Sequence, residues 1–307
     1  MVGLGVFGQH HARHLAARED VRLVAVCDVD GDLARSTAAR YDCEAATTAD
    51  GLHEALDAAS IAVPASAHRA VAGPLLDAGI HALIEKPLAT DIADAKDLID
   101  RAGRTGAVLQ VGHIERFAPA ISALSDLVKS PRRITCVRKS PWTGRSGDVD
   151  VVLDLMIHDI DHALVLAGSP VKDVAADGRV GQSGLVDEAE AWLTFENGVS
   201  ATLSASRVAA TSERRVSVSE TDRMFVADLS QPSLSVSTRL TTADNKVVSL
   251  ESNDNLRDQI ASFIASASSG APVRVDGAAG LAALEVAVKI QAMLPETTSS
   301  YPETENS

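Results

Sequence analysis

The segment Asp154-Leu155-Met156-Ile157-His158-Asp159-Ile160-Asp161-His162 spaces titratable side chains at helical intervals. Asp154 and His158 are four apart and share one helix face, with Asp161 on that face a turn later. The pair suits a coupled acid and base, because imidazole titrates nearest neutrality and an adjacent carboxylate can orient either the ring or a substrate. A helical Asp/His cluster could also bind a metal, but no cysteine or third convergent ligand accompanies it, so none is expected. A second group is Ile84-Glu85-Lys86-Pro87, at the end of an apolar run. A lysine at the carboxyl end of a central strand points into the crevice where open α/β sheets bind ligands. Its ammonium can hydrogen-bond a hydroxyl and stabilise the alkoxide that develops on it.

A third group opens the chain: Gly3-Leu4-Gly5-Val6-Phe7-Gly8 runs into the helical stretch QHHARHLAARE. In a dinucleotide site the first glycine allows a tight turn, the second admits the pyrophosphate and the third lets the helix pack closely. The helix N-terminus offers free N–H groups to the phosphates. Asp28, twenty residues beyond Gly8, ends the strand VRLVAVCD. A carboxylate there accepts from ribose hydroxyls and repels a 2′-phosphate, which favours NAD over NADP. Only Met1 and Val2 precede the first glycine, so the first strand is expected to be cut short. His10, His11 and His14 are expected on the surface of the first helix.

These residues need a scaffold. Up to about residue 113, apolar runs (VRLVAVCD, ASIAVP, IHALIEKP, AVLQVGH) alternate with amphipathic stretches. That pattern predicts an α/β Rossmann domain, a parallel sheet with helices on both faces, over residues 1–113. From 114 to 294 the pattern predicts an α+β domain with a large, mostly antiparallel, open-faced sheet. Ala189, Ala191, Leu193 and Phe195 alternate with polar residues, as do Val199, Ala201, Leu203 and Ala205. Asn197-Gly198 between them predicts a hairpin with a type I′ turn. A helical region from Leu256 to Leu294 follows, and the polar residues 295–307 are expected to be disordered.

Composition narrows the function. Hydrophobic residues at 46% and charged residues at 23% are those of a globular protein. The formal charge of −14 without a basic patch argues against nucleic acid and anionic membranes as partners. Cys27, Cys43 and Cys136 are widely spaced and predict neither disulfides nor structural zinc. No apolar run reaches the ~18 residues of a membrane span, and the chain is expected in the cytoplasm.

Ala78-Gly79-Ile80-His81-Ala82-Leu83-Ile84-Glu85-Lys86-Pro87-Leu88 resembles the Glu-Lys-Pro strand of the glucose-fructose oxidoreductase and inositol dehydrogenase family, Gfo/Idh/MocA. DLMIHDIDH resembles its catalytic helix, and the likeness extends from Gly3 to about Leu294. The resemblance implies an NAD-dependent oxidoreductase that moves a hydride from a sugar hydroxyl. His158 would then pass the hydroxyl proton, Asp154 would orient the substrate or the imidazole, and Lys86 would work on the same oxygen. Ile61-Ala62-Val63-Pro64-Ala65-Ser66-Ala67-His68 is similar to a turn where Val63 and Pro64 border the cofactor with His68 close by. The cofactor set implied is thus Gly3, Gly5, Val6, Phe7, Gly8, Asp28, Val63, Pro64, His68, Glu85 and Lys86. Val111-Gly112-His113-Ile114-Glu115-Arg116-Phe117 resembles the segment joining the domains and puts Arg116 near the site.

GHIERFAPA and DVDVVLDLMIHDID are most similar to bacterial UDP-N-acetylglucosamine 3-dehydrogenases, whose ketone product passes to an aminotransferase. A diphosphate substrate needs cations, and Arg132, Arg133, Arg138, Lys139 and Arg145 precede the catalytic helix. Arg116, Arg138, Arg145 and Asp161 are therefore the expected substrate contacts. A free sugar or inositol is the alternative substrate, and a non-catalytic NAD-binding regulator is the alternative of another class. The resemblance also implies a homodimer or homotetramer built on the open sheet face.

Overall fold

The computed structural model describes residues 1–144, 149–238, 246–251 and 253–295. Arg145 and all of the tail but Pro295 fall outside these residues. The chain forms two compact units: Met1–Phe117 with Asn253–Leu284, and Ala118–Ser252 with Glu285–Ser307. The first break falls four residues after the expected boundary. The helical return over 253–284, expected with the second domain, packs in the first unit.

In the first unit the elements are α1 (Val6–Ala16), β1 (Ala25–Cys27), α2 (Gly31–Tyr41), β2 (Glu44–Ala46), β3 (Ala58–Ile61), α3 (His68–Asp77), β4 (His81–Glu85), α4 (Ile92–Thr105), β5 (Leu109–Gly112) and α7 (Asn255–Ser269). β1 pairs with β2 in parallel, and β3, β4 and β5 form a second parallel set. Val2 makes parallel bridges to both Cys27 and Ile61 and so joins the two sets. Val2 N–H donates to Ser60 O at 2.8 Å, and Gly3 N–H to Cys27 O at 2.8 Å. The order is therefore that of a doubly wound dinucleotide fold, with Met1–Gly3 as its central strand.

A cavity of about 600 Å³ lies between residues 21–25 and 57–60, with Met1, Leu15, Phe263 and Ile264 on its wall. The Met1 ammonium borders it and donates to Ala25 O at 2.9 Å. Burial lowers the pKa of this amine from 8.0 to about 6. The unit is held by an apolar core in which Leu4, Leu15, Val26 and Leu83 meet Leu256, Ile260 and Phe263 of α7.

The second unit contains α5 (Pro119–Leu127), β6 (Arg133–Lys139), α6 (Ile157–Ala167), β7 (Val171–Val180), β8 (Val186–Phe195), β9 (Ser200–Ser206), β10 (Glu213–Ser219), β11 (Arg223–Asp228), β12 (Ser233–Thr238) and β13 (Lys246–Ser249). The final helix α8 (Gly277–Gln291) begins in the first unit and ends in the second. The sheet order is β13-β12-β11-β10-β6-β9-β8-β7, antiparallel throughout except for the parallel pair β6/β9. The eight alternating apolar residues of β8 and β9, including Val199 before β9, are all at most 5% exposed. Their register pairs Ala191 with Leu203 and Leu193 with Ala201.

The hairpin forms at Asn197-Gly198, but the turn differs from expectation. Gly198 has φ +84 while Asn197 has no positive φ. Gly198 N–H donates to Phe195 O at 2.9 Å, and Phe195 N–H donates to Val199 O at 2.9 Å. This is a three-residue loop with a left-handed glycine, in place of type I′, which needs positive φ at both centres.

Candidate active site

In the first unit two of the three glycines of the opening turn, Gly3 and Gly8, have a steric reason to be glycine. Gly3 has φ +84, and a Cβ there would lie 2.6 Å from Ala62 O. A Cβ on Gly8 would run into Gly3 O, so the helix can pack on its own turn only without one. Gly5 faces open space, with nothing within 4 Å of an added Cβ. That space lies at the N-terminus of α1, whose first turn has no acidic residue. The turn therefore fits a pyrophosphate, with Val6 and Phe7 exposed at its mouth. Asp28 accepts from Leu4 N–H at 2.6 Å and from Asp30 N–H at 3.0 Å, which fixes its carboxylate against the glycine turn.

Lys86 follows β4 and begins a cis Lys86-Pro87 turn. Glu85, expected among the cofactor contacts, instead turns its buried carboxylate into the unit. It accepts from Gln259 Nε2 at 3.0 Å and lies 3.2 Å from His11 Nε2. Gly112 packs so closely on this carboxylate that a Cβ would collide with it. His11 is fully buried, against the expectation of a surface residue, and its Nδ1 is 2.8 Å from Ser60 Oγ. His10 is exposed as expected, and His14 Nε2 lies 3.1 Å from Asp254.

His68 begins α3 and is 1% exposed. Its Nδ1 lies 3.0 Å from Pro87 O and 3.2 Å from Leu88 O, and its Nε2 lies 3.1 Å from Val63 O. Burial holds the ring below its ordinary 6.5, although these carbonyls and Glu85 favour the charged form.

In the second unit the expected regular helix is modified. Val152–Met156 adopts π-helical form before α6 begins at Ile157. Such wide turns recur at functional sites because they redirect a side chain without ending the helix. Asp150 caps the segment, accepting from Val152 N–H at 3.0 Å and from Gln291 Nε2 at 2.7 Å. Asp154, half-buried, lies 3.5 Å from Arg207 Nη1. Arg207 is held in turn by Asp187, to which its Nε donates at 2.7 Å, and by Ser183 Oγ at 3.0 Å. Its guanidinium also stacks on Trp142, 5.4 Å from the ring centre. Burial would raise Asp187, but bonds from Ser183 and Arg207 outweigh it and hold the carboxyl below its usual value.

His158 is 9% exposed and Asp161 1%. Arg138, expected as a substrate contact, is buried in a two-pronged bond to Asp159, with Nε–Oδ2 at 3.0 Å and Nη2–Oδ1 at 2.9 Å. Its cationic edge is thus directed at a carboxylate of α6. Arg116 lies half-buried in the turn Ile114–Phe117 of the first unit, where its carbonyl accepts from Arg274 at 2.6 Å. Val63 is half-buried and Pro64 exposed at the turn after β3.

Within the first unit the structure brings together the glycine turn, Asp28, Val63, His68 and Lys86 at the carboxyl end of the sheet. In the second, Asp154 lies in the π-helical turn and His158 and Asp161 follow it in α6. Sequence reading missed Arg207, Asp187, Trp142 and Asp159. Asp187 stands at the start of β8 and Arg207 just after the end of β9, and nothing in their spacing points to Asp154. The run of acidic and basic residues at helical period in α6 was the one available signal for Asp159. Among the described residues no group of three or more His, Cys, Asp or Glu could hold a metal ion, and no helix is long and apolar enough to cross a membrane.

Comparison with known proteins agrees with this geometry. Residues 1–113 match the oxidoreductase family with an NAD-binding Rossmann fold, and residues 93–226 match the GFO/IDH/MocA C-terminal domain. A UDP-N-acetylglucosamine 3-dehydrogenase of Acidithiobacillus ferrooxidans is 37% identical over 306 residues, covering 96% of this chain and 97% of the relative. A solved structure of such an enzyme from that organism superposes with a TM-score of 0.90 at 36% identity, covering 95% and 96% of the two chains. An inositol 2-dehydrogenase of Rhizobium meliloti is 28% identical, covering 94% of this chain and 93% of the relative.

Proposed function

Since the chain belongs to the GFO/IDH/MocA family of oxidoreductases, we propose that it is an NAD-dependent dehydrogenase that oxidises the 3-hydroxyl of UDP-N-acetylglucosamine. The observation that carries the substrate is the 37% identity to an enzyme of that name over 96% of the chain. Asp28 supports NAD over NADP, because a carboxylate at the end of β1 repels a 2′-phosphate. Bound NAD supplies the hydride acceptor.

The chain's own residues do the rest. Lys86 Nζ donates to the substrate hydroxyl oxygen and stabilises the negative charge that builds on it. His158 takes the hydroxyl proton as general base and returns it in the reverse direction. Asp154 orients substrate or imidazole, and Arg207, 3.5 Å away, holds Asp154 in place. The ketone product is suited to an aminotransferase, which would draw the uphill oxidation forward. The protein would work in the cytoplasm. A second copy is the further partner, docking on the sheet face where Trp192 and Met224 are 42% and 43% exposed.

One observation favours a second reading, a free sugar or inositol. Arg138, one of the cations expected to hold a diphosphate, is directed at Asp159. The test is NAD reduction with UDP-N-acetylglucosamine, free N-acetylglucosamine and inositol in parallel, with an aminotransferase and glutamate removing ketone. A signal with the UDP-sugar alone, abolished in Lys86→Ala and His158→Ala, is expected. A signal with inositol alone would replace the proposal by the second reading.

A further inference from the structure

Lys86 is anchored through its neighbours. On one side Glu85 is fixed by His11 and Gln259. On the other, Pro87 and Leu88 both turn their carbonyls toward Nδ1 of His68, whose Nε2 faces the carbonyl of Val63. One buried imidazole therefore spans two strand-end turns: the one after β3, with Val63 and Pro64, and the one after β4, which carries Lys86. Three main-chain oxygens lie around the two ring nitrogens, and since a neutral ring carries one N–H, the tautomer protonated on Nδ1 is the one that donates to the Pro87 and Leu88 carbonyls. The carbonyls belong to residues immediately after Lys86, so any shift of the ring moves the peptide that sets the direction of the lysine side chain.

We propose that His68 is a positioning residue: it acts through the Pro87 and Leu88 carbonyls to hold Lys86 in its working orientation, and does not itself touch the substrate. This rests on the reading of Lys86 as catalytic and adds to it the residue that aims it. His68→Gln keeps an amide donor that can bond to the carbonyls, while His68→Leu keeps volume and removes every donor. Displacing a reacting group by about 1 Å can cost on the order of 100-fold in rate.

The first readout needs no turnover. Lys86 is acylated at limiting reagent and its modification counted by peptide mass spectrometry against the exposed Lys172. His68→Leu is expected to change the Lys86:Lys172 ratio by more than threefold, with His68→Gln within twofold of wild type. In the dehydrogenase assay the leucine variant should lose 10- to 100-fold in kcat, with the NAD dissociation constant from calorimetry changed less than threefold. An unchanged Lys86 ratio in folded His68→Leu would overturn the proposal, as would a glutamine variant as defective as the leucine one. If the leucine variant does not fold, His68→Asn serves: its shorter amide cannot span both turns, so a wild-type labelling ratio there would overturn the proposal. Inactivity of the wild type on every sugar would refute the dehydrogenase reading and leave the labelling result standing on its own.

Discussion

Replacing Arg138 by Met removes the cation from a pair whose side chains are only 4% and 2% exposed. Both prongs of the fork are made, at 2.9 and 3.0 Å. Solvent cannot take over the role of the guanidinium, so Asp159 is left as a buried carboxylate on α6, with His162 Nδ1 at 3.8 Å. Breaking such a pair from one side costs about 3–5 kcal/mol, whereas replacing both partners with apolar residues of similar size is often close to neutral. Arg138→Met should therefore lower the urea midpoint by about 1 M or more, taking m as roughly 3 kcal/mol/M. Arg138→Met with Asp159→Leu should recover most of that loss. The assay is urea unfolding followed by circular dichroism, with the UDP-sugar KM measured on the double variant. A single variant costing less than about 1 kcal/mol, or a double variant as unstable as the single, would refute the buried-pair argument. A KM that rises equally in single and double variants would show that the guanidinium serves substrate instead.

Three further outcomes follow from the same geometry. In a chain beginning at Met1, the α-amine loses its proton near pH 6 when folded and near 8.0 when unfolded. The unfolded state binds more protons between those values, so stability should rise by at most about 3 kcal/mol from pH 6 to 8 and be lost on acidification through that window; urea midpoints equal at the two pH values would contradict this. Asp28→Ala should weaken NAD by roughly 10- to 100-fold, the worth of a charged hydrogen bond, and NADP far less; calorimetry giving equal losses for both would remove Asp28 from ribose recognition. Asp187 has a depressed carboxyl, so its contribution is full above 3.8 and lost as pH falls through the lower folded value. Acid titration of Asp187→Asn should accordingly show a shallower loss below pH 3.8 than wild type, and identical slopes would count against the Arg207–Asp187 link.

Short-range grammar made much of the architecture legible. Strict alternation placed the buried faces of β8 and β9, and the glycine spacing placed the turn before α1, because both are written in neighbouring residues. Long-range packing was not legible. His11 is buried because Ser60 and Glu85, far along the chain, come to meet it, and α7 returns to the first unit through Leu256, Ile260 and Phe263. The central strand was expected to be cut short, and three residues occupy its place by bridging both neighbours at Val2. The hairpin was found while its turn type was not, since Asn-Gly fits either geometry and the register of Phe195 with Val199 decides. At the candidate site, Lys86, Asp154 and His158 could be proposed from residue type and spacing alone. Arg207, which reaches Asp154, and Asp159, which reaches Arg138, did not, because such partners need only meet in space.

The most direct test of the account uses UDP-N-acetylglucosamine carrying deuterium at C3, incubated with the protein and NAD, with the reduced cofactor analysed by mass spectrometry. The account predicts deuterium on the nicotinamide ring and a slowed rate, both lost in His158→Ala. Reduced cofactor without deuterium would mean that another position is oxidised, and no reduction with NAD bound would contradict the assignment of this substrate.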